Sequence, residues 1–246
     1  MGPLLEAELI KLRTTRTFLA LVGTAVGLSL LLTVLIAALT EPTRESVLSD
    51  VFQSDLSSLF ILVLAVVGIS GEWRHRTITS SLLAAPDRVG FMVAKMLAYA
   101  AAGVVLSVLI TIAVDVAGLA ILSARDLPTP SGGDLIDLAW RNFVLAALFG
   151  AFGVGVGAIV RNQPVAIVGL LAAAFIVEPL LLSVIPDVAR FGPLVGLPSG
   201  VAETDIGFDD VELVAPGLAL LALVAWVALL VGLGAALLRR RDLDGS

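Results

Sequence analysis

Six long apolar runs dominate this sequence and decide what the chain can fold into. A membrane-spanning helix needs about 20 mostly apolar residues, and each run, with its flanks, approaches or exceeds that length. The predicted spans are 18–39, 52–72, 91–122, 143–160, 164–185 and 213–238. Hydrophobic residues make up 59% of the chain and charged residues 15%, whereas soluble domains average about 45–50% and about 25%. We therefore expect an all-α membrane protein with six transmembrane helices in one domain, 1–246.

The basic residues are distributed unequally between the two sides of these spans. Eleven of the 15 lysines and arginines fall before span one, between spans two and three or in the first turns of span three, between spans four and five, or after span six. Because cytoplasmic loops carry the excess of positive charge, this asymmetry predicts a multi-pass protein of the cell membrane with both termini in the cytoplasm. The formal net charge of −6 argues against a nucleic-acid partner.

Three polar or irregular segments lie outside the spans on either side. In residues 3–17, Leu5, Leu9 and Leu12 recur at helical spacing beside basic residues, which predicts an amphipathic helix on the inner membrane surface. A positively charged flank that only fixes topology is the alternative.

Residues 123–142 contain prolines and glycines and are interpreted as a connection. Residues 186–212 are too apolar for a free loop but too rich in proline and glycine for a span, so short interfacial or re-entrant helices are expected.

The loop between spans two and three is predicted to contain a short helix at 77–85. Ile78, Leu82 and Ala85 share one side of it, Pro86 ends it, and Asp87 can cap the helix that follows. An apolar helical face on the cytoplasmic side has no lipid to cover it. It indicates a docking surface for a cytosolic partner, with a solvated connecting loop as the alternative.

Two acidic residues within the spans, Glu178 and Asp115, are candidates for a function inside the membrane. Charge at that depth is costly, so such residues usually face protein or water. Pro179 directly after Glu178 allows a kink, and a neutral carboxyl bonded to a neighbouring helix is the alternative for Glu178. Asp115 lies far enough along span three to reach water near the outer headgroups.

The residue inventory excludes several classes of chemistry. The chain has no cysteine and one histidine, His75, which removes thiolate metal sites and argues against a Ser-His-Asp triad. No Walker motif is present, so the chain is not expected to be an enzyme or to hold a cofactor of its own. Small residues four apart, as in Gly23–Gly27 and Gly153–Gly157, predict closely packed helices.

Three segments together resemble the bacterial ABC-2 type transporter permeases. The first is the basic start ELIKLRTTRT. The second is the stretch GEWRHRTITSSLLAAPDRVGFMVAKML, with an acidic residue, a basic pair, Thr-Ile, Leu-Leu-x-x-Pro and an Ala-Lys that leads into span three. The third is Leu197-Pro198 in the outer segment.

This resemblance implies a permease subunit of an ATP-binding cassette exporter that moves an apolar or amphiphilic substrate. It implies a second permease protomer, the lipid bilayer and a cytosolic ATPase as partners, with ATP and Mg bound by the ATPase. By the resemblance, the 77–85 helix is the coupling helix. The residues that would dock the ATPase are Glu72, Arg74, Arg76, Thr77, Ile78, Ser81, Leu82 and Leu83.

Three other functions are compatible with the sequence. A secondary transporter could couple substrate to ions through Asp115 and Glu178, although no inverted repeat of the kind common in such folds is evident. A non-transporting membrane partner or immunity-type protein would use the inner loop for binding alone. An intramembrane enzyme would need a base and a nucleophile at depth, which the position of His75 argues against.

Overall fold

The structure, a computed structural model, describes residues 2–53, 55–74, 87–160, 162–204 and 211–240. These residues form a bundle of helices, and no strand occurs among them. The helices are α1 (Gly2–Thr14), α2 (Arg16–Leu39), α3 (Ser57–Arg74), α4 (Arg88–Ala124), α5 (Gly132–Ile159), α6 (Gln163–Ala172), α7 (Glu178–Val184), α8 (Pro186–Ala189), α9 (Gly196–Ala202) and α10 (Pro216–Arg240). Two π-helical turns, Leu48–Phe52 and Ala173–Val177, precede α3 and α7.

The six predicted spans are confirmed as six helical segments that are long and apolar enough to cross a membrane. The fourth of these segments, α5, lies at the centre of the bundle: 61% of its most apolar stretch is buried, against 17% for α2. Around α5 pack α3, α4 and α10. The outer helices therefore leave long apolar faces uncovered by protein, as expected where lipid is the solvent.

The glycines of α5 explain its central position. A Cβ added at Gly153 would lie 2.6 Å from the carbonyl oxygen of Leu62, and one at Gly150 would lie 2.4 Å from that of Tyr99. Glycine at these positions lets the backbone of α5 approach the backbones of α3 and α4 closely. Around Gly23 and Gly27 of α2, by contrast, an added Cβ meets nothing within 4 Å, so that pair makes no such contact within the described bundle.

The predicted length of the connection between spans three and four is wrong. Residues 123–142 were expected to be a connection, but α5 already begins at Gly132. Ser131 and Asp134 form a capping box, in which each side chain bonds the other residue's backbone N–H. This box satisfies the free donors of the first turn, so the glycine pair after Ser131 does not prevent a helix.

A π-helical turn lies at the start of span two, and another lies within span five. In span five, Ala173–Val177 stands directly before Glu178 and Pro179. Proline has no N–H to donate to the preceding turn, and a wider turn accommodates the loss. In span two, Asp55 and Leu56 are not helical and α3 begins at Ser57, which places Asp55 just before the start of α3.

Short helices are confirmed in the outer segment, as α8 and α9, and a helix is confirmed at 3–17, as α1. The buried face of α1, however, carries Glu8 and Leu12, while Leu9 is 36% exposed. Leu12 and Leu5 of the predicted stripe therefore pack on the bundle, whereas Leu9 does not. The predicted coupling helix 77–85 lies outside the described residues.

Candidate functional site

Four charged side chains form a closed ring at one end of the bundle, the end that the charge distribution predicts to be cytoplasmic. The Nζ of Lys95 donates to Glu8 Oε2 at 2.7 Å and to Glu72 Oε1 at 2.8 Å. The Nζ of Lys11 donates to Glu8 Oε1 at 2.8 Å and to Glu72 Oε1 at 3.3 Å. We call Glu8, Lys11, Glu72 and Lys95 the charge ring; two positive and two negative charges balance within it.

Three separate helices contribute to the charge ring. Glu8 and Lys11 lie three residues apart on α1, which places them on one face. Glu72 is in the last turn of α3, and Lys95 is in the second turn of α4. The ring therefore connects α1 to both helices that flank the segment 75–86.

The charge ring is largely shielded from water. The side chain of Lys95 is 1% exposed, and its Nζ lies 5.0 Å from the centroid of the Phe91 ring. Only Lys11, with 51% of its side chain exposed, reaches the surface. A buried charge whose partner is removed is strongly destabilising, so the three helices hold one another in register.

The pKa values of the two α1 residues, Glu8 and Lys11, are shifted in the directions that keep the charge ring ionised. Burial by itself raises the pKa of Glu8, but the charge of Lys95 and hydrogen bonds from both lysines outweigh it, so the pKa of Glu8 is below its ordinary value. Burial by itself lowers the pKa of Lys11. The hydrogen bond to Glu8 and the charge of Glu72 raise it by more than burial lowers it, so the pKa of Lys11 is above its ordinary value. Both shifts favour the charged forms that the ring requires.

A cavity of about 810 Å³ opens beside the charge ring. Its lining combines ring residues with apolar and hydroxyl side chains of α1, α2 and α3 and with Gln163 of α6. Arg74 reaches Gln163 across it, with 3.4 Å between Nη1 and Oε1. The ring is thus bordered by open space on the side where α6 begins.

Of the predicted docking residues, the structure describes two, Glu72 and Arg74. Glu72 is mostly buried within the charge ring, so its carboxylate faces the bundle. Arg74 is exposed at the end of α3. The other predicted docking residues, Arg76, Thr77, Ile78, Ser81, Leu82 and Leu83, lie outside the described residues.

Glu178 holds the outer segment in place. Its two carboxylate oxygens accept the backbone N–H of Leu194 at 3.0 and 3.1 Å, and Oε2 accepts that of Val195 at 2.7 Å. Gly192 leaves room for this carboxylate, because an added Cβ would lie 2.6 Å from Oε2. The residue that the sequence marked as an intramembrane candidate therefore binds backbone donors just before α9.

Asp115 is half-buried on α4 and lies close enough to interact electrostatically with Asp55. Asp55 accepts the hydroxyls of Ser107 at 3.1 Å and Thr111 at 3.2 Å through Oδ2, and the backbone N–H of Ser57 at 2.6 Å through Oδ1. Because Thr111 stands one helical turn before Asp115, Asp115 lies on the side of α4 that faces Asp55.

Sequence reasoning did not single out Glu8, Lys95 or Asp55. Glu8 and Lys95 stand in the two motifs that carried the family resemblance, but neither motif by itself shows that their charges pair. For Asp55 a signal was present: Ser107, Thr111 and Asp115 recur four residues apart, which places a polar stripe on one face of α4.

No protein-family model matches the chain, and no curated protein matches it. The fold alone defines the class of the protein: it is a helical protein with six helical segments that are long and apolar enough to span a membrane.

Proposed function

We propose that this chain is the permease subunit of an ATP-binding cassette exporter, moving an apolar or amphiphilic substrate and powered by a separate cytosolic ATPase. The observation that carries the proposal is the charge ring. Its members come from the segments that resemble ABC-2 permeases: Glu8 and Lys11 from the basic start, Glu72 from the acid at the end of span two, and Lys95 from the Ala-Lys in the first turns of span three.

The ring supplies a physical route for coupling. Segment 75–86 joins the end of α3 to the start of α4, and ring residues lie next to both of its ends. A partner that pulls on this segment would act on α3 and α4, and through the ring on α1. Nucleotide binding to the ATPase would then bias a two-state equilibrium of the bundle.

The exposed apolar faces are compatible with a second permease protomer. Phe175, Ile176 and Leu180 on the span of α6 and α7 are 60–64% exposed, and this span packs against only a small part of the bundle. Lipid alone would also cover such a face. The proposal therefore includes a dimer, homomeric or heteromeric.

Co-expression with a candidate ATP-binding cassette ATPase from a neighbouring reading frame tests the proposal. We expect co-purification and nucleotide-driven transport in vesicles, both lost when 77–85 is scrambled and both kept when 126–130, on the predicted opposite side, is scrambled. The two variants should keep the same helical content. Transport that survives the 77–85 scramble, or labelling of that segment from the exterior, would contradict the proposal.

One observation favours a second candidate, an ion-coupled transporter. Asp55 and Asp115 bring two carboxylates near one another in the half of the bundle away from the charge ring, and such groups can exchange ions or protons. Transport that follows a pH gradient and ignores nucleotide would favour this candidate. Loss of that transport in Asp115→Asn, with nucleotide without effect, would distinguish it from the exporter.

A further inference from the structure

A second cavity, of about 280 Å³, lies between α3, α5, the π-helical turn before α7 and the outer segment. Most of its wall is hydrocarbon, including Leu59, Leu62 and Pro198 and the rings of Phe149 and Phe175. Ligand sites usually combine such a wall with a small number of polar groups that fix orientation. Asp55 is the charged residue among the described residues that line it.

Among the described residues, Asp55 has hydrogen-bond donors but no counter-charge. Its three partners, Ser57 N, Ser107 Oγ and Thr111 Oγ1, are neutral, and no ion pair joins it to another described residue. Asp115 adds negative potential at the same place. A carboxylate in apolar surroundings is costly until a positive charge approaches it, and Asp55 is partly exposed, so a ligand can reach it.

We propose that this cavity binds organic cations with a bulky apolar body, with Asp55 as the counter-ion of the ligand. The hydrocarbon wall takes the apolar body, and phenyl rings attract cations over their faces. A bare metal ion fits less well, because hard cations require a shell of six or more oxygens, which this wall does not offer. A ligand of the opposite charge would meet the field of Asp55 and Asp115.

Binding by itself does not depend on the proposed function. The further statement that such a cation is the transported substrate does rest on the exporter proposal. The two are separated by measuring binding on the purified chain alone, without ATPase or nucleotide.

Equilibrium dialysis with tetraphenylphosphonium tests the inference, and tetraphenylborate serves as an anion of nearly the same shape. Empty micelles are subtracted from the signal. We expect saturable binding of the phosphonium, at least about tenfold weaker in Asp55→Asn, because one charge pair at partial burial is worth more than that factor. Borate binding should be weak and should not decrease in this variant.

Matched variants keep the test decisive. Asparagine at 55 can still accept the N–H of Ser57, and Asp126→Asn removes an exposed carboxylate in the positive-φ conformation that asparagine tolerates. Asp126→Asn should bind the phosphonium normally. If Asp55→Asn does not fold, Ala174→Phe, which places a phenyl ring in the cavity and keeps the carboxylate, should weaken binding of the phosphonium.

Two results would overturn the inference: equal binding of both ions by the unsubstituted chain, or phosphonium binding that Asp55→Asn and Ala174→Phe leave unchanged. Neither result bears on nucleotide-driven transport, whose failure would overturn the exporter proposal alone.

Discussion

Lys95 is the residue on which the charge ring depends most, because it is 1% exposed and bonds carboxylates from two other helices. Lys95→Met leaves Glu8 and Glu72 without their buried partner. We expect the free energy of unfolding to fall by about 3–5 kcal/mol, the usual cost of breaking a buried pair from one side. Titration with sodium dodecyl sulfate, followed by circular dichroism, measures it.

Lys11→Met is the matched control for that substitution. Lys11 bonds the same two carboxylates, but half of its side chain is in solvent, so the expected loss is about 1 kcal/mol or less. Equal losses in the two variants would show that burial does not decide the strength of the ring.

The pKa of Glu8 makes the stability of α1 depend on acid. Its folded pKa lies below the ordinary value of 4.5, so the unfolded chain takes up a proton first as pH falls. The stabilisation is fully present above the ordinary pKa and is lost as pH drops through the folded pKa.

Thermal unfolding between about pH 7 and about pH 3 should show this loss. In Glu8→Gln the decrease on the acid side should be smaller than in the unsubstituted chain, because the group that takes up the proton is absent. An identical acid decrease in both proteins would mean that Glu8 is not held as a carboxylate.

At the scale of the elements, Gly153 sets the distance between α5 and α3. In Gly153→Ala the new Cβ would lie 2.6 Å from the Leu62 carbonyl oxygen and 2.8 Å from the Ala65 Cβ. Backbone cannot rotate away as a flexible side chain can, so the helices must separate. We expect a loss of about 1–3 kcal/mol in unfolding free energy, measured by the same titration.

Gly232→Ala is the control for that change, since an added Cβ there meets nothing within 4 Å. Removing a helix-interior glycine should leave stability unchanged or raise it by up to about 1 kcal/mol. If Gly153→Ala is as well tolerated as Gly232→Ala, the close approach of α5 to α3 is wrong.

Glu178 connects two elements, α7 and the turn before α9. In Glu178→Gln an amide NH₂ replaces one acceptor and faces the backbone donors of Leu194 and Val195. Each lost charge-assisted bond is worth about 1.5–3 kcal/mol, so the outer segment should loosen. The chain has no cysteine, so a single cysteine introduced by Val201→Cys can be labelled selectively. Val201 is 6% exposed, and a looser outer segment would expose this cysteine to a thiol reagent.

A membrane-impermeant thiol reagent should label that cysteine faster in Glu178→Gln than in a chain with Glu178. Glu212→Gln, at a side chain 92% exposed, should leave the rate unchanged. Equal labelling with and without Glu178 would show that its hydrogen bonds do not hold the segment.

At the scale of the whole molecule, the charge ring should transmit movement rather than only stabilise. The variant Glu8→Met, Glu72→Met, Lys95→Met replaces the buried charges together by apolar side chains of similar length, a change that is often nearly neutral for stability. Under the proposed function we expect it to fold and to bind the ATPase, but to lose most nucleotide-driven transport. ATPase co-purification and vesicle transport, measured side by side, check this.

Normal transport by that triple variant would mean that the ring is structural only. Loss of ATPase binding as well would place the docking contact at the ring itself. The Lys11→Met variant, which leaves the buried pairs intact, should bind and transport as the unsubstituted chain does.

The sequence by itself determined the class of fold and most helix positions. Apolar runs of membrane-spanning length leave a chain few choices, because lipid can satisfy no backbone hydrogen bond. The first and last residues of the helices were less well predicted where a capping side chain or a proline determines the local backbone. The Ser131–Asp134 capping box begins α5 at Gly132, within a segment expected to be a connection, and the proline after Glu178 accompanies a π-helical turn in span five.

Only the tertiary structure decided which polar groups meet. Glu8 and Lys95 are 87 residues apart and Glu178 bonds N–H groups 16 and 17 residues away, distances over which no periodicity carries information. The identity of α5 as the central helix likewise depends on which glycines contact backbone. Burial and pairing are properties of packed neighbours, and a single sequence specifies them only once it has folded.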